Sequence, residues 1–166
     1  DYLNNLKKEI LKLKNNKVVL CGEIRYPREW VRNSNYFRYR DSRHFKIDGR
    51  SKKKLDFQTI TTMNMAIHAK SIKADGVKFD DKYGFHCEDI DFGVNLQHNG
   101  YTFQPSKLTI IHYETSTNLS NYCKKLSKMR LDGMPRFTKK FPNEAGLIIW
   151  SRFTYSLNEP LAVQNL

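Results

Sequence analysis

The chain has 166 residues, enough for one domain with a buried core, and its 39% apolar and 13% aromatic content excludes a disordered polymer. Lys and Arg outnumber Asp and Glu by 29 to 17, so the surface is expected to attract nucleic acid, nucleotide phosphates or an anionic membrane face. The sequence has no apolar run of about 18 residues, no signal-peptide pattern and no CxxC among its three cysteines. These absences predict a cytoplasmic protein with reduced thiols, with a place at the inner face of a membrane left open.

The first half of the chain predicts a helix, a strand and a long basic segment. Residues 1–16 carry leucine and isoleucine at helical spacing with lysines between them, which predicts an amphipathic helix. The run KVVLCGEI at 17–24 is β-branched and of strand length, which predicts a buried strand. Residues 25–54 then interleave eleven Lys or Arg and three acids with six aromatic residues and show no regular period. We call residues 25–54 the basic aromatic segment.

The second half of the chain alternates helices and strands, which favours a mixed α/β fold. We predict a strand at 57–62, a helix from about Asn64, a helix at 88–98 that ends at Asn99-Gly100, two short strands around Pro105-Ser106, and a helix through 119–129. The last strong apolar run is LIIW at 147–150.

Three acids, Glu88, Asp89 and Asp91, crowd the start of the helix predicted at 88–98. A carboxylate at a helix N-terminus stays ionised, as a general base that deprotonates a hydroxyl must be. The same three acids are also explained simply as charges that complement the helix dipole. The pattern alone leaves both interpretations open.

His112 ends an apolar run, and the ends of strands in α/β sheets are where ligands and metals usually meet the protein. A neutral imidazole near carboxylates suits Mn²⁺ or Zn²⁺, although a single histidine at a strand end is more often structural. His86 lies beside the acids and is a weaker candidate.

Positive charge is concentrated in two segments. Residues 25–54 contribute 11 − 3 = +8, residues 124–140 contribute 7 − 1 = +6, and the rest of the chain sums to −2. Two local patches favour a defined anionic ligand over general solubility. The basic aromatic segment suits either single-stranded nucleic acid, through stacking and phosphate contact, or the diphosphate of a nucleotide-linked substrate, and a solvated loop has the same composition.

Four stretches, taken in order, resemble the second half of a family 2-type glycosyltransferase with the GT-A fold. They are TTMNMAI at 61–67, DGVKFDDKYGFHCEDIDFG at 75–93, HNGY at 98–101 and IIHYE at 110–114. The resemblance covers about residues 17–131, and the Glu-Asp pair is its most specific part. It implies a GT-A-like mixed sheet flanked by helices over residues 1–131, with 132–166 as a basic extension packing on it.

The resemblance also implies roles for individual residues. Asp89 would be the catalytic base, with Glu88 binding the acceptor sugar. Four further residues would line the substrate cleft or close over the donor diphosphate: Asn64, Lys124, Lys125 and Arg130. His112 would be a ligand of Mn²⁺ or Mg²⁺. The expected donor is a nucleotide-sugar, with a UDP-sugar favoured, and the expected acceptor is a glycan or a lipid-linked glycan.

The sequence departs from the family pattern in three places. Phe85-His86-Cys87 stands where Gly-Gly or Gly-Cys is usual before Glu-Asp, so His86 would narrow the acceptor site or place an imidazole in it. Asp81 replaces a common Glu. The nucleotide-binding half with its Asp-x-Asp motif is missing, so we expect a fragment of a longer protein.

Two alternatives remain open at this point. One is a non-catalytic glycosyltransferase remnant. The other, which we favour less, is a nucleic-acid-binding module that depends on Trp30 or Tyr36.

Overall fold

The structure, a computed structural model, describes residues 1–44, 55–58, 60–83, 87–114 and 118–148. Over these ranges it is a mixed α/β fold with a three-stranded mixed sheet flanked by helices, as the alternation of elements predicts. The helices are α1 (Tyr2–Ile10), α2 (Arg28–Asn33), α3 (Asn35–Arg43), α4 (Ala69–Ala74), α5 (Glu88–His98), α6 (Leu119–Lys128), α7 (Met134–Lys140) and α8 (Pro142–Leu147). The strands are β1 (Val18–Arg25), β2 (Met65–Ile67) and β3 (Thr102–Ile111), with 3₁₀ turns at Thr62–Asn64 and Asp81–Tyr83 and a π-helical turn at Met129–Gly133.

Strand β1 is the centre of the sheet, whose order is β2-β1-β3. It pairs in parallel with β3, with Val18 opposite Thr102, and antiparallel with β2, with Cys21 opposite Met65. Its residues 18–21 are all buried. A strand covered on both faces needs such a continuous apolar run, which is why the sequence predicts it correctly.

The predictions for α1, α5 and α6 are confirmed. Helix α5 covers Glu88–His98, and Gly100 behind it adopts a positive φ of 79° that ends the helix. Helix α6 begins after Asn118, whose side chain accepts a hydrogen bond from the backbone N–H of Asn121.

The predictions between residues 57 and 67 are wrong. No strand forms at 57–58 or 60–62, and the chain at Asn64 leads into strand β2 instead of a helix. A short apolar run such as Met65–Ile67 has no period that separates helix from strand. Antiparallel pairing with the edge of β1 that does not face β3 makes Met65–Ile67 a strand.

The two strands predicted around Pro105-Ser106 are one strand with a bulge. Between the pairs Cys21–Pro105 and Glu23–Thr109, three residues of β3 face the single residue Gly22 of β1. Within the described part of the sheet β3 is an edge strand, where proline is tolerated. The Pro105-Ser106 pair therefore forms part of a β-bulge instead of a turn between two strands.

The basic aromatic segment is largely helical where the structure describes it. Residues 28–33 form α2 and residues 35–43 form α3, which begins at Ser34 with a side-chain hydrogen bond to the N–H of Phe37. Residues 45–54 lie outside the described residues.

Helix α5 lies between two apolar clusters. One cluster joins it to the sheet and includes Val19, Phe92 and Leu96. The other joins it to α7 and α8, and five of its nine buried members follow residue 131: Met134, Phe137, Phe141, Ala145 and Ile148. In the described part of the chain no helix has the length and apolar character needed to cross a bilayer.

Replacing Gly22 with alanine should destabilise the fold, because a Cβ there would lie 2.4 Å from Asn64 Nδ2 and 2.6 Å from the Leu108 carbonyl oxygen. Overpacking and disturbed hydrogen bonds together predict a loss of about 2 to 3 kcal/mol in the free energy of unfolding, measured by urea denaturation. Gly146→Ala is the matched control. It lies in α8 with open space around it and should be neutral or stabilising. Equal stability of the two variants would contradict the packing described here.

Candidate active site

The candidate residues gather at one edge of the sheet. Strands β1 and β3 are parallel, so their carboxyl ends share an edge, and His112 lies there, with its backbone N–H donating to the Arg25 carbonyl at 2.7 Å. Helix α5 is joined to the start of β3 by a short turn. Asp89, in the first turn of α5, bonds to Thr62, two residues before Asn64. The Asn64 amide reaches the Glu23 and Leu108 carbonyls near the carboxyl ends of β1 and β3. In open α/β sheets ligands bind outside this carboxyl edge.

Asp89 is half-buried in the first turn of α5 and is held by one hydroxyl. The Thr62 Oγ1 donates to Asp89 Oδ1 at 2.5 Å and so joins the 3₁₀ turn at Thr62–Asn64 to the helix start. Glu88 is half-buried beside it. The arrangement places a carboxylate in the first turn of the helix, within hydrogen-bond reach of Thr62.

Asp91, the third acid of this turn, has a structural partner. It is fully buried, and the Lys140 ammonium of α7 lies 3.0 Å from Oδ1 and 2.8 Å from Oδ2. Asn95 donates a further hydrogen bond to Oδ1 at 2.7 Å. Lys140 also reaches Asp80 at 3.1 Å, and burial together with the Asp91 charge raises the pKa of Tyr83 nearby. Asp91 therefore ties α5 to α7.

The residue that leads into the helix has an unusual backbone. Cys87 adopts a left-handed conformation with φ of 70°, which is uncommon for a residue with a side chain. Its thiol is buried, and burial raises its pKa to about 12, which disfavours the thiolate form. Residues 84–86 lie outside the described residues, and with them the predicted acceptor contact of His86.

Asn64 is buried, and its amide cross-links the backbone. Its Nδ2 donates to the Glu23 carbonyl at 2.7 Å and to the Leu108 carbonyl at 3.2 Å, across the bulge between β1 and β3. Its Oδ1 accepts a hydrogen bond from the Tyr2 hydroxyl at 2.6 Å. The polar atoms of the side chain are thus engaged within the protein, and the residue positions the 3₁₀ turn instead of presenting a group to solvent.

Glu114, two residues after His112, collects three donors. The hydroxyls of Tyr26 and Tyr36 each donate at 2.8 Å and Arg40 Nη2 donates at 2.6 Å. The His112 Nε2 lies 3.7 Å from Glu114 Oε1. The Arg40 and Glu114 side chains are only 14% and 13% exposed. We call these five residues the Glu114 cluster, and it joins α3 to the end of β3.

An open cavity of about 290 Å³ lies beside the Glu114 cluster. Its lining includes three tyrosines, an amide, a histidine and a lysine: Tyr36, Tyr113, Tyr122, Asn121, His112 and Lys125. Of the three predicted diphosphate contacts, Lys125 lines this cavity, whereas Lys124 and Arg130 are exposed and do not line it. Lys125 shares a helix face with Asn121 and Tyr122, which explains why it points to the cavity and Lys124 does not.

The two basic segments meet at this cavity. Arg40 of the basic aromatic segment packs over the ring of Tyr122 on α6 at 4.6 Å, and the Tyr36 and Tyr122 rings are 5.9 Å apart. Trp30 packs against Phe37 at 4.8 Å and Tyr113 at 5.5 Å. The rings that a nucleic-acid module would use for stacking are therefore engaged with one another.

A metal ion would need ligands from beyond these groups. In the ranges the structure describes, no three His, Cys, Asp or Glu side chains lie close enough together to hold one. His112 can supply one ligand, but both oxygens of the neighbouring Glu114 already accept hydrogen bonds. The described residues do not by themselves fit a divalent cation, and carboxylates from outside them would have to complete the site.

Sequence reasoning missed Thr62, Glu114 and Lys140. Alternation along an extended strand puts residues 112 and 114 on one side, which was a usable signal for Glu114. Thr62 and Lys140 carry no local signal, because their partners are 27 and 49 residues away in the chain.

Replacing Lys140 with methionine should destabilise the fold, because it leaves the buried Asp91 carboxylate without its cation. We expect a loss of about 2 to 3 kcal/mol in urea denaturation, less than for a fully buried pair since the Lys140 side chain is 37% exposed. Lys139→Met removes an exposed lysine from the same helix and should change stability by less than about 0.5 kcal/mol. Similar losses in both variants would argue against the Asp91–Lys140 pair.

Replacing Glu114 with glutamine should change how stability depends on pH. Burial alone would raise the pKa of Glu114, but hydrogen bonds from Tyr26 and Tyr36 and the Arg40 charge outweigh it and hold that pKa below its usual 4.5. The stability this carboxylate provides is present above pH 4.5 and is lost as the pH falls through the lowered pKa.

Glu114→Gln should therefore be less stable than the wild type at pH 7 by about 1 to 2 kcal/mol, with the difference shrinking below pH 4.5 in thermal or urea unfolding. Glu29→Gln, at an exposed position on α2, is the control and should follow the wild type. A constant difference between Glu114→Gln and the wild type from pH 7 to pH 3 would rule out the cluster as the source of the effect.

Comparison of the chain with models of protein families, with curated proteins and with solved structures found no match.

Proposed function

We propose that this chain carries the acceptor side of an inverting glycosyltransferase of the GT-A type. The enzyme would move a sugar from a nucleotide-diphosphate donor to a hydroxyl of a glycan or lipid-linked acceptor. One observation carries the proposal: a half-buried carboxylate, Asp89, lies at the start of α5 and is linked through Thr62 and Asn64 to the carboxyl halves of two parallel strands. His112 and the cavity lie at the same edge. This edge is where open α/β sheets bind ligands.

The chemistry assigned to Asp89 is general-base catalysis. Its carboxylate takes the proton of the acceptor hydroxyl while the hydroxyl oxygen forms a bond to the anomeric carbon of the donor sugar. The bond from that carbon to the diphosphate oxygen breaks, and the diphosphate leaves with the electron pair. Attack opposite the leaving group inverts the configuration. Glu88, half-buried in the same turn, would orient the acceptor sugar.

The donor diphosphate is assigned to the cavity beside His112. Lys125 offers a cation there, and the tyrosine rings at the cavity offer surfaces for a base or sugar. Asn64 contacts β3 at Leu108, four residues before His112. We assign the diphosphate to the His112 end of this edge and the sugar to the Asp89 end. Mn²⁺ or Mg²⁺, held partly by His112, would neutralise the diphosphate when bound.

A lipid-linked acceptor would bring the protein to a membrane. Residues 124–140 carry a net charge of +6, and Lys124 and Arg130 are exposed. Such a surface is attracted to the anionic inner face of a membrane. We therefore propose a cytoplasmic, membrane-associated setting.

Asp89→Asn should abolish sugar transfer and leave donor binding intact, because an amide cannot take the acceptor proton while the donor contacts are elsewhere. Transfer would be measured as UDP release from UDP-glucose, UDP-N-acetylglucosamine and UDP-glucuronate with a glycan acceptor mixture. Donor binding would be measured as the rise in thermal midpoint caused by UDP with Mn²⁺. Asp132→Asn, at an exposed position, is the control and should retain transfer.

Near-normal turnover by Asp89→Asn would reject the assignment. UDP stabilisation without any transfer would favour a non-catalytic remnant. Single-stranded RNA binding that falls steeply with salt, together with no response to UDP, would favour the nucleic-acid module instead.

A further inference from the structure

We propose that Thr62 is a positioning residue for the Asp89 carboxylate. This inference rests on the proposed function, since it takes Asp89 to be the catalytic base. The hydroxyl of Thr62 would fix the carboxylate orientation, so that Oδ2 is the oxygen presented to the acceptor hydroxyl.

The contact geometry supports this role. Thr62 Oγ1 donates to Oδ1 of Asp89, and among the described residues no other side chain or backbone group is hydrogen-bonded to that carboxylate. A carboxylate held by one donor at one oxygen keeps its other oxygen available as an acceptor. Fixing the reacting oxygen within a fraction of an ångström is what efficient proton transfer requires.

The contact is not needed to hold the 3₁₀ turn in place. Asn64, two residues along, already anchors that turn through the Glu23 and Leu108 carbonyls and through the Tyr2 hydroxyl. The turn is therefore fixed independently of Thr62. Because Asn64 bonds to β1 and β3, the sheet fixes the position from which the Thr62 hydroxyl reaches Asp89.

The described charged groups near the start of α5 do not orient the Asp89 carboxylate, and a neutral donor does. Glu88 and Asp91 lie on α5 itself, Asp80 precedes the turn at Asp81–Tyr83, and Lys140 comes from α7. Lys140 is engaged with Asp80 and Asp91. A hydroxyl orients Asp89 without adding a positive charge, which would weaken the carboxylate as a proton acceptor.

The test compares Thr62→Val, which keeps the shape but removes the donor, with Thr62→Ser, which keeps the donor. We expect Thr62→Val to lower kcat for UDP release from the same three UDP-sugars by about 10- to 100-fold, with KM for the donor within about twofold of the wild type. Thr62→Ser should restore kcat to within about threefold. Thermal midpoints of the two variants should agree, and the ¹³Cγ signal of Asp89, assigned with Asp89→Asn, should move only in Thr62→Val.

The outcomes separate this inference from the proposed function. An inactive Asp89→Asn together with wild-type kcat in Thr62→Val overturns the positioning role and leaves the base assignment standing. An active Asp89→Asn overturns both. Equal kcat losses in the valine and serine variants, matched by equal drops in thermal midpoint, indicate a merely structural residue and also overturn the inference. If no donor is turned over, an unchanged ¹³Cγ signal in Thr62→Val overturns it, and a shifted signal supports it.

Discussion

The amide of Asn64 fills the gap that a bulge opens between β1 and β3, and the position of the candidate site depends on it. Three residues of β3 face Gly22 there, and the amide donates to both the Glu23 and the Leu108 carbonyls across this gap. Gly22 has to be glycine because any Cβ would occupy the space of that amide. The same amide fixes the turn from which Thr62 reaches Asp89. The bulge in the β1–β3 pairing thus makes room for the amide that positions Thr62 next to Asp89.

The three acids at the start of α5 have different partners, so one explanation does not cover them. Asp91 is buried and belongs to the packing of α7 through Lys140. Asp89 is half-buried and bonds to a neutral hydroxyl. All three complement the helix dipole, but that effect is worth only about 0.3 to 1 kcal/mol at an exposed site. The dipole effect does not explain why Asp91 is buried against Lys140. Asp89 is the candidate base because, among the described residues, it has no such cation and bonds only to a hydroxyl.

Local sequence patterns correctly predicted the elements that have a long apolar run or clear residues marking their start and end. Helix α5 had acids at its start and Asn99-Gly100 at its end, and β1 was a continuous apolar run. The stretch around Asn64 was too short for periodicity to decide, and Pro105-Ser106 resembled a turn because nothing in the local sequence announces a bulge. For the site, the sequence proposed the acids and His112 as candidates and also assigned Asn64 to the cleft, whereas the structure buries Asn64 in backbone contacts. Its partners lie more than 40 residues away, beyond the reach of any local pattern.

The His112 end of the edge is organised by charge neutralisation. Glu114 accepts hydrogen bonds from two tyrosine hydroxyls and pairs with Arg40, so the positive charge of this mostly buried arginine is already neutralised. An anionic ligand there would meet Lys125, an exposed lysine on α6. An exposed lysine stays partly hydrated when it binds a diphosphate, which allows release, whereas a buried unpaired arginine would destabilise the folded protein before any ligand bound. The cluster therefore provides rigidity and the exposed lysine provides charge, a division suited to a ligand that must be bound and then released.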